Sequence, residues 1–174
     1  MKAIRCFLLG CALASSSLQA GNSFDRYPAK TLQEILAGRV EVEKTLHDAP
    51  RDGKFFVVNP EVGHALVVFQ GKTRAIEPAT RDFLDLWAKY DKMPAMSGLY
   101  EEEILVREGK TDYWLPMQKV LMGYLRDEAK AGTPIEVWVE WFGSYRSAPG
   151  ELVHVVCVTR FDSDPDTGQP TSRQ

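Results

Sequence analysis

The chain has 174 residues, of which 21 are basic and 24 acidic, for a formal net charge of −3. That length is enough for one domain with a proper core. The acidic balance argues against a nucleic-acid partner, which needs a basic footprint, and against an anionic membrane surface.

Residues 1–20 have the pattern of a secretory signal. Lys2 and Arg5 form a short positive region, Cys6–Ala14 is apolar, and SSSLQA is a small-residue approach to a cut after Ala20. The apolar run is too short to span a membrane. Leu8-Leu9-Gly10-Cys11 also resembles a lipobox, which gives a lipoprotein anchored through Cys11 as the alternative. Cleavage after Ala20 leaves 154 residues with 19 basic against 24 acidic side chains, a net charge of −5. One cysteine remains, Cys157. In an oxidising compartment it has no internal partner, so stability is expected to come from packing.

The polar lead-in ends at Thr31-Leu32-Gln33-Glu34, a capping-box pattern that predicts a short helix to about Ala37, ended by Gly38. Arg39–Gly53 reads as charged loop, with a brief strand or helical turn through Val40, Val42 and Leu46 as the alternative. Phe55–Val58, Ala65–Phe69 and Thr73–Ile76 read as three short strands, separated by turns at Asn59–Gly63 and Gly71-Lys72. Thr80 is placed to cap a helix with the stripe Phe83, Leu86, Trp87 and Tyr90, which stops near Lys92 before Pro94. Tyr100–Glu108 reads as a strand and Gly109-Lys110 as a turn.

The stretch Tyr113–Phe142 organises the rest of the chain. Tyr113–Leu115 is extended, as a residue run before proline should be. Pro116 suits the first position of a helix whose buried stripe is Met117, Val120, Leu121, Tyr124 and Leu125. Gly132 is expected in a left-handed cap, and Pro134 stops the helix. From Ile135 the period changes to two. Ile135, Val137, Val139 and Trp141 make a core face, while Glu136, Trp138, Glu140 and Phe142 make a second face, half covered by a helix. Gly143–Gly150 reads as a hairpin loop and Leu152–Phe161 as the last strand. Asp162–Gln174 has no large apolar residue and is expected to be disordered. The order of elements predicts an α+β fold in a single domain over residues 21–161. It is a small, mainly antiparallel sheet or a partly closed OB-like barrel with two to three helices.

No G-x-S-x-G, H-E-x-x-H, C-x-x-C, G-x-G-x-x-G or P-loop pattern is present. His47, His64 and His154 are scattered, so no metal and no cofactor is expected. Glu101-Glu102-Glu103 reads as a solvated strand face rather than a carboxylate site, because alternation turns Glu102 away from the other two. Cys157 sits among valines and reads as a small buried hydrophobe, with a disulfide-linked dimer as the alternative. Tyr113, Trp114, Gln118, Trp138, Phe142 and Tyr145 are the candidate binding residues. Aromatic platforms with a few amides suit sugars and peptides, although a second small core under a helix is the more ordinary use of such aromatics.

Trp114-Leu115-Pro116-Met117-Gln118, the helix ending in Lys130-Ala131-Gly132, the strand Ile135–Phe142 ending in Gly143, and the stretch Glu77–Tyr90 resemble small exported proteins of Gram-negative bacteria with no assigned function. The resemblance implies a periplasmic or secreted home and no known reaction. The expected function is therefore a non-enzymatic binding or accessory protein of the bacterial envelope, with an envelope protein or glycan as partner. An inhibitor or immunity protein acting on a secreted cell-wall hydrolase is the first alternative, its acidic surface suiting a basic enzyme. A small envelope hydrolase using carboxylates is the second.

Overall fold

Five runs of the chain carry an apolar residue at every second position over most of their length, and a strand with one such face must bury it. They do so by closing on themselves. A computed structural model describes residues 26–41, 44, 56–57, 61–90, 92, 96, 98–146 and 152–165. The signal segment, Cys11, His47 and residues 166–174 lie outside the described residues. The strands are β1 (Phe56–Val57), β2 (Glu61–Ala75), β3 (Tyr100–Glu108), β4 (Thr111–Gln118), β5 (Pro134–Arg146) and β6 (Leu152–Asp162). The helices whose bounds are described are α1 (Leu32–Ile35), α2 (Pro78–Tyr90) and α3 (Lys119–Glu128), and residues 39–41 and Lys44 are also helical.

β2 pairs antiparallel with β5 through its first half and with β3 through its second. β3 and β4 form a hairpin. β4 meets β6 in parallel at Met117↔Val158, and β6 returns antiparallel to β5. The result is a closed five-stranded barrel, β5-β2-β3-β4-β6 and back to β5, with the two-residue β1 added beside the end of β5. Closure removes the open edges that would otherwise invite pairing with other chains. The fold is thus a small α+β barrel of mostly sheet, consistent with an OB-like arrangement.

The barrel core contains Val67, Ile104, Val106, Leu115, Met117, Val156 and Val158. Ile135, Val137, Val139 and Trp141 join it, so the predicted core face of the long strand is the observed one. α1 adds Leu32 and Ile35, and α3 adds Met122 and Leu125. The capping box of α1 is present: Thr31 Oγ1 accepts from the Glu34 N–H at 3.0 Å, and the Thr31 N–H donates to the Glu34 carboxylate at 2.7 Å. Glu108, at the end of β3, accepts from the Leu32 and Gln33 N–H groups and ties α1 to the barrel. Gly63 leaves room for Ile35, whose side chain would lie 2.9 Å from any Cβ there.

Several expectations change. Gly71-Lys72 is not a hairpin turn between two strands. It is an irregularity inside the single strand β2, at the point where β2 passes from β5 to β3. Gly71 has φ +69°, and a Cβ would meet the Ala131 methyl at 2.4 Å, so only glycine fits. Asn59–Gly63 is not all turn either, because β2 already begins at Glu61. The third change concerns Pro116, which lies within β4 rather than at a helix start, opposite Glu103. β4 bonds β3 along its length but touches β6 at one pair, so one side of the strand has few ladder bonds and tolerates proline. The helix therefore begins at Lys119 and is rotated relative to the predicted stripe. Met122 and Leu125 are buried, while Val120 and Tyr124 are 65% and 56% exposed. Finally, the expected hairpin loop after Phe142 begins later. β5 runs on to Arg146 and carries Tyr145 into the buried layer outside the barrel.

α2 also starts earlier than expected. Pro78 occupies its first position, and the Arg81 N–H donates to the Glu77 carbonyl. Thr80 lies inside the helix, and its hydroxyl pairs with the Tyr145 hydroxyl at 3.2 Å. Thr80, Phe83, Leu84, Trp87 and Ala88 form the buried stripe and cover the outside of the barrel over Tyr100, Phe142, Tyr145, Val155 and Cys157. The predicted helix over the second face of β5 is thus present.

Candidate functional site

The six aromatic and amide candidates are not brought to one place. Phe142 and Tyr145 are buried beneath α2, where Phe142 stacks on Trp87 with ring centroids 4.5 Å apart and Phe83 lies over Tyr145. Tyr113 is half-buried and packs against the barrel core. Gln118 ends β4 opposite Tyr100 and precedes α3 without capping it by its side chain. Trp114 and Trp138 lie on the outside of the barrel, on different strands.

Trp138 is only 9% exposed although it points outward. Its cross-strand neighbours cover it. His64 on β2 stacks at 5.5 Å between centroids, and the Arg160 guanidinium on β6 lies 4.3 Å from the ring. His64 is held in turn by Glu136, Nδ1 to Oε1 at 2.6 Å. Ring stacking and a cation over an indole are favourable, but they leave the ring little surface for a ligand.

Trp114 has a different environment. It alternates outward between the core residues Tyr113 and Leu115, with Glu103 and Arg74 beside it on β3 and β2. The Arg74 guanidinium lies 4.3 Å above the indole. Its Nε donates to Glu103 Oε2 at 2.6 Å, and its Nη1 pairs with Glu77 Oε1 at 2.8 Å. Glu103 is 3% exposed, and burial pushes its carboxyl above the usual range against the pull of Arg74. Arg74 itself is half-buried, and Glu77 is open to solvent. Trp114, Arg74 and Glu77 therefore form a partly open patch of one aromatic face, one guanidinium and one solvent-exposed carboxylate paired with it, built on the buried carboxylate of Glu103.

The three consecutive glutamates do not converge. Each holds a different cation: Lys119 on Glu101 at 2.9 Å, Arg126 on Glu102 at 2.6 Å, and Arg74 on Glu103. Two of them are partly solvated as expected, whereas Glu103 is enclosed. Among the described residues no three His, Cys, Asp or Glu side chains are grouped to hold a metal.

One pair invites a catalytic reading that the spacing did not reveal. Ser144 Oγ and His154 Nδ1 are 2.6 Å apart, as a nucleophile and its base would be. They are cross-strand partners on β5 and β6. Ser144 is completely buried, however, so its oxygen has no approach for a substrate. Cys157 is equally enclosed, and burial pushes its thiol well above the usual range, so it is placed neither to react nor to bridge to a second chain.

Arg74, Glu77 and Glu103 are absent from the sequence-derived candidates. Their association depends on Arg74 and Glu103 falling opposite each other in the β2–β3 register, across 29 residues. Only the pairing of Arg74 with Glu77, three residues apart, carries a local signal. No protein family, no curated protein and no solved structure matches the chain.

Proposed function

We propose that this is an exported, non-enzymatic binding module of the bacterial envelope. It holds an envelope protein or glycan on the outer face of β3 and β4. The observation that carries this reading is the Arg74–Glu103 pair beneath a half-open Trp114. Burying a carboxylate is unfavourable, and a well-packed apolar pair in its place would commonly be as stable or more so. Such a pair on an outer face is better accounted for by recognition than by stability. In OB-like barrels, which this topology resembles, the face made by the second and third barrel strands is the one that commonly meets ligands. Here those strands are β3 and β4. The signal-like residues 1–20 and the acidic charge support an envelope location and a partner other than nucleic acid.

The test is capture of envelope extract and of peptidoglycan fragments on immobilised residues 21–174, compared with Trp114→Ala and Trp138→Ala. The expected result is loss of capture in Trp114→Ala, by tenfold or more, with Trp138→Ala close to the parent because its ring is already occupied. Loss in Trp138→Ala alone would move the site to the His64–Trp138–Arg160 ladder. Unchanged capture in both variants would remove the outer barrel face as the site.

A further inference from the structure

Arg74 covers the one aromatic surface on the β3–β4 face, and it is held there by two carboxylates in unlike surroundings. Glu103 anchors it from below and is enclosed; Glu77 anchors it from the solvent side. We propose that Arg74 is the moving part of a charge-controlled cover over Trp114. While Glu103 is ionised, the guanidinium is held down between that carboxylate and the indole. When Glu103 takes up a proton, Arg74 is left to Glu77 alone and lifts from the ring.

The groups that act on Glu103 support this. From β2 it faces Arg74, and from the link to α2 it faces Glu77. Its field also reaches Tyr145 on β5 and Cys157 on β6. Burial raises the titration of both the phenol and the thiol, so both stay neutral in mild acid and neither supplies a competing charge. On β4 the neighbours are Pro116 and Trp114, which do not titrate. Asp82 on α2 acts on Tyr145. Arg74 is thus the cation that favours ionised Glu103, and burial is the larger influence against it. Of the two carboxylates on Arg74, the enclosed one is the one whose charge burial penalises. Protonation would also change the local charge of Arg74, Glu77 and Glu103 from −1 to zero. An acidic medium would therefore both uncover the indole and make the face less repellent to anionic groups.

The cover would move whether or not the face binds a ligand. Its movement is read from the indole N–H resonance of Trp114, assigned by its absence in Trp114→Phe and followed from about pH 8 down to about pH 4. The expected result is a one-proton transition with its midpoint above the ordinary 4.5 of a glutamate. Glu103→Gln is expected to hold the low-pH position throughout, and Glu77→Gln to keep the transition. A flat Trp114 signal in the parent, or an unchanged transition in Glu103→Gln, would overturn the proposal. If Glu103→Gln does not fold, the side-chain carboxyl carbon of Glu103 in the parent serves instead. A midpoint matching that of the Trp114 indole supports the cover, and a midpoint at or below 4.5 overturns it.

Discussion

Two positions on the outward face of β5, Trp138 and Phe142, are four residues apart and are covered in opposite ways. Phe142 lies under α2, stacked on Trp87 and edge-on to Tyr100, inside an apolar layer that also holds Cys157 and Val155. Trp138 lies outside that layer. It is enclosed by its own cross-strand neighbours, His64 and Arg160, which are themselves partly exposed. Similar exclusion of water is thus reached by a packed helix at one end of the strand and by a ladder of polar side chains at the other. The difference is in what each cover is attached to. Removing a residue beneath α2 leaves a cavity inside a rigid layer. Removing one from the ladder lets two long side chains relax into water.

The sharpest way to break this comparison is Phe142→Ala, which should lose about 3–5 kcal/mol through the cavity it leaves under α2. Urea denaturation measures it, and a loss below about 1 kcal/mol would mean that α2 does not pack as described. Trp138→Ala should lose less, about 2 kcal/mol, from the burial and the cation contact together. A loss equal to that of Phe142→Ala would show that the ladder is as rigid as the helix layer. Tyr145→Phe should lose about 1 kcal/mol, because the Thr80 hydroxyl is left buried without its partner. The double variant Thr80→Val, Tyr145→Phe should recover much of that loss, since both polar groups are then gone.

The smallest effects set covered against open carboxylates. The enclosed Glu103 has its titration raised, so the folded chain binds more protons than the unfolded one just above pH 4.5. Its contribution to stability therefore falls as pH rises through that window, and Glu103→Gln should lack this slope. Glu34 behaves oppositely. The Thr31 backbone N–H and hydroxyl lower its titration, so its contribution is present above pH 4.5 and is lost as pH falls below it. Glu34→Gln should remove that low-pH loss. Unfolding midpoints across pH distinguish the two, and slopes of the same sign would contradict the burial of Glu103.

Much of the strand content was legible from alternation. Ile135, Val137, Val139 and Trp141 point into the barrel, and Tyr100–Glu108 is a strand with the stated bounds. The capping box at Thr31 was readable because its bonds span three residues. The errors gather where a local signal met a non-local constraint. Met117 belongs to the helical spacing of Val120, Leu121 and Tyr124, yet it lies in β4 because β3 pairs with it there. Gly71 carries a turn signal, yet it marks an irregularity inside one strand, where β2 exchanges one neighbour for another. The candidate patch was only partly readable: Trp114 stood out as an aromatic, whereas Arg74 and Glu103 are brought together by strand register alone.

By itself, then, the sequence determined that there would be a β-rich α+β domain, the alternating core face of β5, and the local cap of α1. Each of these depends on residues within a few positions of one another, where spacing and backbone geometry suffice. Tertiary structure alone decided the closure of the barrel, the rotation of α3 that exposes Val120 and Tyr124, and the assembly of Arg74, Glu77 and Glu103 around Trp114. These depend on which strands become neighbours and in what register. A shift of one residue in that register would turn a strand side chain such as Arg74 or Glu103 to the other face.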